Sequence, residues 1–263
     1  MKTIDPRSYR AIAVIVLALC GCEKEPHTDI STILARHTEA RGGVAAIEAV
    51  QALEVNRTVQ EGKRQLITHY IATRDGRMRL DVSEHGEIVF SEGYDGETAW
   101  QRSGRWAKAD DMPDWAVAAV KRSLRYNLYG LHELAASGTS LKLAERERVA
   151  GGLYNWVIEA TDSDGYKRRL FIDPYDFMII RVQESSALYP DRSNYPTELE
   201  THFLDFREVD GVMFSFASET YSDEAGQSVQ KTSASSIVVN PEFDPSLFSR
   251  PVDNAGDSET GPN

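Results

Sequence analysis

Over most of this chain apolar and polar residues alternate with a period of two, and twice the period lengthens to that of a helix. The first helical stretch comes early: Ile30, Ile33, Leu34 and His37 recur at helical spacing, and Thr28 or Asp29 can cap the start. Arg41-Gly42-Gly43 breaks it, and a second short helix carries Ala46, Ile47 and Val50. Alternation then predicts strands over 53–60, 63–74, 77–82, 87–94, 97–101 and 105–108. Asp75-Gly76, Asp95-Gly96 and Ser103-Gly104 are hairpin turn pairs. Along the third strand Met78, Leu80 and Val82 face one side, and Arg77, Arg79 and Asp81 the other.

The second helical stretch covers 113–136, with Pro113 suited to its first turn. Val117, Val120, Leu124, Leu128, Leu131 and Leu134 form one stripe, with Lys121, Arg122 and Arg125 off it. Strands resume over 140–149, 153–161, 166–172, 177–184, 198–208, 212–221 and 227–239, punctuated by Asp164-Gly165, Asp210-Gly211 and Gly226. The fold class is mainly β (α+β): a long antiparallel meander with one apolar face that the helices must cover. A meander of this length curls, and a curled sheet with a helical plug can enclose a ligand cavity. Leu124, Leu128, Leu131, Trp100, Trp156 and Ile158 are the candidate cavity residues; for each tryptophan an ordinary core position is the competing role.

The start of the chain has a different character. Lys2, Arg7 and Arg10 precede an unbroken apolar run from Ala11 to Leu19, followed by Cys20, Gly21 and Cys22 and then by polar Glu23-Lys24-Glu25-Pro26. A basic start, a short apolar core and small residues at a cut site make a secretory signal, and the core is shorter than the roughly 20 residues of a membrane-spanning helix. A disulfide between cysteines two apart would be strained and would staple nothing. Leu19-Cys20-Gly21-Cys22 resembles the lipobox of bacterial lipoproteins. That resemblance implies cleavage between Gly21 and Cys22, a diacylglyceryl group on the Cys22 sulfur and further acylation, such as palmitate, at the new amino end. Two or more acyl chains hold a protein stably on a membrane. Glu23, rather than Asp, after the lipidated cysteine implies sorting to the periplasmic face of the outer membrane. The expected organisation is a signal peptide over 1–21, a tether over 22–29, a folded domain over 30–251 and a disordered tail over 252–263.

The formal charge of −12 leaves no electrostatic footprint for nucleic acid, and no polybasic patch for anionic lipid. Six dispersed histidines form no metal motif, so no metal is expected. There is no G-x-S-x-G. Ser228-Val229-Gln230-Lys231 matches S-x-x-K but falls within a strand, and Asp162-Ser163-Asp164-Gly165 is explained by a hairpin turn. The sequence gives no support for an enzyme.

Five stretches in order, "ARGGVAAIEAVQAL" (40–53), "GYDGETAWQ" (93–101), "LFIDPYDFMIIRVQ" (170–183), "FREVDGVMFSFASETY" (206–221) and "VVNPEFDPSLFSRP" (238–251), resemble the outer-membrane lipoprotein-sorting-protein-like family of the LolA/LolB superfamily. The resemblance implies an incomplete antiparallel β-barrel, helices against its concave face, acyl chains between them and no cofactor. A lipid at Cys22 departs from a free shuttle and favours a receptor. The apolar loop of such a receptor has two candidates here, Ala187-Leu188-Tyr189 and Met112-Pro113. The expected partners are the membrane, through the lipid, and a hydrophobic ligand or lipoprotein. The alternative is a protein-interaction or envelope-sensing module on the same fold.

Overall fold

The computed structural model describes residues 28–148, 153–190, 192–222 and 228–251. The expected signal peptide, Gly21, Cys22, most of the expected tether and the expected tail lie outside the described residues.

Helices α1 (Ile30–Ala40) and α2 (Val44–Ala49) come first. Asp29 caps α1, accepting hydrogen bonds from Thr32 N and Ser31 Oγ, each 2.8 Å. The break between α1 and α2 is fixed from outside: Gly42 has φ +115° and a Cβ there would sit 1.9 Å from Gly211 O. Beside it Met213 N donates to Arg41 O at 3.1 Å.

Strands β1 (Ala52–Glu61), β2 (Arg64–Thr73), β3 (Met78–Glu84), β4 (Glu87–Tyr94), β5 (Ala99–Arg102) and β6 (Asp110–Asp111) form the first meander. Helices α3 (Asp114–Leu128) and α4 (Leu131–Ala136) follow. The second meander is β7 (Ser140–Leu143), β8 (Glu147–Arg148), β9 (Tyr154–Thr161), β10 (Lys167–Ile172), β11 (Ile179–Ser186), β12 (Thr197–Val209), β13 (Val212–Ser222) and β14 (Ser228–Val239). Two expectations need correction. Residues 105–108 form no strand, and Trp106 is 85% exposed in a turn. The single helix over 113–136 is two, because Glu133 reaches back to accept from Gly130 N at 2.9 Å and starts a new first turn.

All strands belong to one antiparallel sheet in the order β6-β5-β4-β3-β2-β1-β14-β13-β12-β11-β10-β9-β7, with β8 joined to β9. The meanders meet where β1 pairs β14, Val55 opposite Ile237. The sheet does not close: among the described residues β6 and β7 remain its two edges. The chain must therefore cross from one edge to the other through α3 and α4. Laid flat, thirteen strands would span ~58 Å at ~4.8 Å per gap, whereas α3 and α4 together reach ~32 Å at 1.5 Å per residue and the loops around them add at most ~24 Å when fully extended. Only a straight, extended connection would span a flat sheet, so helices packed on the strands imply a curled one, with the connection across its concave face.

Two apolar clusters result. The first packs α2 and α3 (Ile47, Val120, Leu124, Leu128) on Val55, Tyr70, Ala72 and Met78. The second packs α1 and α4 (Ile33, Leu131, Leu134) on Ile158, Leu170 and Ile172. On the opposite face, Trp100 Nε1 donates to Phe248 O at 3.0 Å beneath a 3-10 turn at Pro245–Phe248.

Candidate ligand trough

Beside α3 the concave face is hollow. A cavity of about 410 Å³ lies between β1, β10–β14 and the helices, and a second of about 400 Å³ lies between α3 and β1–β4. Both fall in the range of about 300–1,000 Å³ usual for small-molecule sites. The inward phase of β1 supplies Leu53, Val55 and Arg57 to the first, and Arg57, Val59 and Glu61 to the second. Phe214 and Phe216 line the first cavity from β13. Phe203 and Phe206 of β12 also line it although they stand three apart; between them the backbone is irregular at Asp205 (φ 54°), which drops out of the ladder while the register on either side is unchanged. Helices α1, α3 and α4 contribute His37, Tyr126, Leu131 and Leu134. The second cavity is bounded by Leu66, Leu80, Val82 and Phe90, by Ala119 and Ser123 of α3, and by Leu188, Tyr189 and Pro190. Trp115 Nε1 donates to Pro190 O at 3.1 Å, tying that segment to the start of α3.

Charge in the first cavity is confined to a few groups. Arg168 is paired with Glu184 and stacks 4.0 Å from the Tyr126 ring centroid. Arg41 and Arg57 line the cavity, and among the described residues no carboxylate is hydrogen-bonded or ion-paired to either. Burial holds the pKa of each below the ordinary arginine value, with Glu133 acting in the opposite direction on Arg41 and Tyr70 on Arg57. His37 lies 2.8 Å from Phe177 O through Nδ1, which therefore carries the hydrogen. Its Nε2 is buried with no partner among the described residues. Burial pushes the His37 pKa down to about 4, against the bond to Phe177.

The residues singled out in the sequence are dispersed. Leu131 lines the first cavity. Leu124 and Leu128, 5% and 2% exposed, face the sheet and are packed in the first cluster, so they line neither cavity. The void lies to either side of α3, not under its leucine stripe. Ile158 is fully buried in the second cluster and Trp156 packs against it, 4.1 Å below the guanidinium of Arg146. Trp100 is fully buried on the other side of the sheet, because it shares the outward phase with Arg79. Met112 is a core residue, while Leu188 and Tyr189 border the second cavity.

What the sequence reading passed over is Arg57. Its signal is a charge at an inward position of the run Leu53-x-Val55-x-Arg57-x-Val59. Among the described residues no group of three or more His, Cys, Asp or Glu could hold a metal ion.

An open antiparallel sheet wrapped around crossing helices, with an apolar trough between, defines the class. The solved structures that resemble it say which fold this is. A LolA superfamily protein from Nitrosomonas europaea is 12% identical, with 84% of this chain and 98% of that one aligned and a TM-score of 0.53. An outer membrane lipoprotein-sorting protein domain from Vibrio parahaemolyticus is 11% identical over 82% and 94%, TM-score 0.52. A DUF1329 family protein from Desulfovibrio piger is 12% identical over 84% and 98%, TM-score 0.56. The chain thus has the LolA-type fold. No family model matches the sequence, and no curated protein does.

Proposed function

We propose that this protein binds a hydrophobic, acyl-chain ligand in the trough without a chemical step, and that it does so while anchored in the cell envelope. The observation that carries this reading is the unfilled apolar space: the Phe203, Phe206 and Phe214 rings border a cavity of about 410 Å³ rather than packed side chains. Exposed apolar surface in a concave site is what drives such binding. The similarity to a lipoprotein-sorting domain supports lipid or lipoprotein acyl chains as the ligand class. Among the described residues no helix is long and apolar enough to cross a membrane. On this reading Cys22 carries the lipid, and the protein stands on the periplasmic face of the outer membrane.

Two experiments test the proposal. Ala234 faces the first cavity from β14, opposite Arg57. Wild-type protein should take up cis-parinaric acid, and Ala234→Phe, which plugs the cavity, should abolish uptake while keeping the fold. Organic extraction of the purified protein should yield acyl lipid by mass spectrometry. No uptake and no extracted lipid would refute binding and favour the interaction-module alternative. For the anchor, Cys22→Ser should release the protein from membranes and Cys20→Ser should not; the reverse would refute the cleavage site.

A further inference from the structure

The two cavities share four lining residues, Arg57, Asn127, Gln230 and Thr232. All four are polar, so the trough is two apolar lobes joined at a polar waist, with α3 above it. Arg57 is the charged member. It projects from the inward face of β1, between Thr68 of β2 and Ala234 of β14. Its guanidinium carbon lies 6.0 Å from the Tyr70 ring centroid. Of the acidic residues bordering the trough, Glu61 accepts from Gln230 at 2.7 Å, Glu184 engages Arg168 and Tyr166, and Glu92 lines the second cavity near Tyr70, with no ion pair to Arg57. Among the described residues no carboxylate forms an ion pair with Arg57. Buried cations are ordinarily paired, because an uncompensated one is costly to desolvate. An arginine left without an anion at the waist of a mostly apolar trough, beside two neutral amides and a hydroxyl, is suited to hold a planar or tetrahedral oxyanion.

We propose that the ligand is an anionic amphiphile whose carboxylate or phosphate binds Arg57 at the waist while its acyl chain fills an adjoining lobe. This rests on the hydrophobic-ligand reading above and adds the headgroup to it.

The test compares cis-parinaric acid with its methyl ester, which has the same chain but no charge, on the full protein. Wild type should bind the acid at least about tenfold more tightly than the ester, as a charge-assisted pair out of water requires. Arg57→Met should erase that preference while leaving ester binding within about twofold, and Arg57→Lys should keep part of it. Arg57→Met should not lower Tm, since it removes a desolvated charge; if it nonetheless fails to fold, the acid-to-ester ratio on wild type still decides. Equal affinity of wild type for acid and ester overturns the headgroup site but leaves hydrophobic binding standing. Absence of binding by either probe overturns both. Competition by palmitate and by lysophosphatidic acid identifies the source: stronger displacement by the first assigns a free carboxylate, by the second a phosphate. Equal displacement by uncharged monopalmitoylglycerol would again overturn the site.

Discussion

The concave face holds two regions built from the same kind of sequence signal. Beneath the C-terminal half of α3, Leu124 and Leu128 are 5% and 2% exposed and pressed on the sheet, while Val120 one turn earlier already borders the second cavity. On β12 and β13, Phe203, Phe206 and Phe214 are equally apolar and line the inside, yet they are only half-buried and border open space. The difference is coverage. The helices available are short, and α3 with α4 must cross from one sheet edge to the other, so α3 covers the waist of the trough and leaves a lobe open on either side. An apolar pattern therefore says which face avoids water, and only the path of the covering elements says whether that face is filled.

The strongest way to break this arrangement is to release the roof. Arg74 Nε donates to Val50 O at 2.7 Å, and its Nη2 donates to Ile47 O at 2.7 Å and Leu128 O at 3.1 Å. It also pairs with Glu133, both side chains being largely buried. One side chain thus joins the ends of α2 and α3 to the first turn of α4. Arg74→Met should cost about 3–5 kcal/mol, because it strands the Glu133 carboxylate as well as the carbonyls. Chemical denaturation measures it, and a loss below about 1 kcal/mol would show that the helices are held by packing alone.

Next come the two regions themselves. Leu128→Ala should cost about 2–5 kcal/mol, the loss usual for a packed core leucine, and leave probe uptake in place if the protein folds. Phe203→Ala should cost under about 2 kcal/mol, below the usual range for phenylalanine, because one side of the ring already lacks partners. Equal losses at the two positions would erase the distinction between filled and hollow.

The third effect is a pH dependence. The folded-state pKa of His37 is about 4, below its ordinary value of 6.5. The unfolded chain therefore binds the proton first as pH falls. Stability from neutral His37 is intact above about pH 6.5, is lost progressively toward pH 4 and changes no further below it, a total of about 3 kcal/mol. In denaturation between pH 7 and 4, His37→Leu should flatten that slope. An unchanged slope would place the proton uptake elsewhere.

Much of the fold was legible in the sequence. Both N-terminal helices, the break at Gly42-Gly43 and the hairpins at Asp-Gly pairs follow from local chemistry, and they are found where the pattern puts them. Local patterns failed where the deciding partner is distant. Gly130 ends a helix because of Glu133, and Trp100 is buried by Phe248, 148 residues away. The trough was legible only in outline. Leu124 and Leu128 were rightly apolar but wrongly placed at a void, since periodicity cannot distinguish a packed stripe from an exposed one. Arg57 was legible as an anomaly of phase, but its lack of an anion is a fact of three dimensions.

The smallest expected effect is also the sharpest discriminator. Ala72 and Ala234 are both small residues on the concave side, Ala72 on β2 and Ala234 on β14. Ala72 is fully buried within the first cluster, whereas Ala234 is half-buried and borders the first cavity. The same enlargement to phenylalanine should then have unlike consequences. Ala72→Phe forces atoms into occupied space and should cost about 1–3 kcal/mol or more through strained rotamers and backbone shifts. Ala234→Phe extends a ring into empty volume, gaining contacts while ordering one side chain, so the change should lie within about 1 kcal/mol of zero. Its effect should appear instead in uptake of cis-parinaric acid, lost in Ala234→Phe and retained in any folded Ala72→Phe. Paired unfolding curves and probe titrations measure both quantities on the same samples. If Ala234→Phe destabilised the protein as strongly as Ala72→Phe, the space beside Arg57 would be closed in solution, and the trough would be a core.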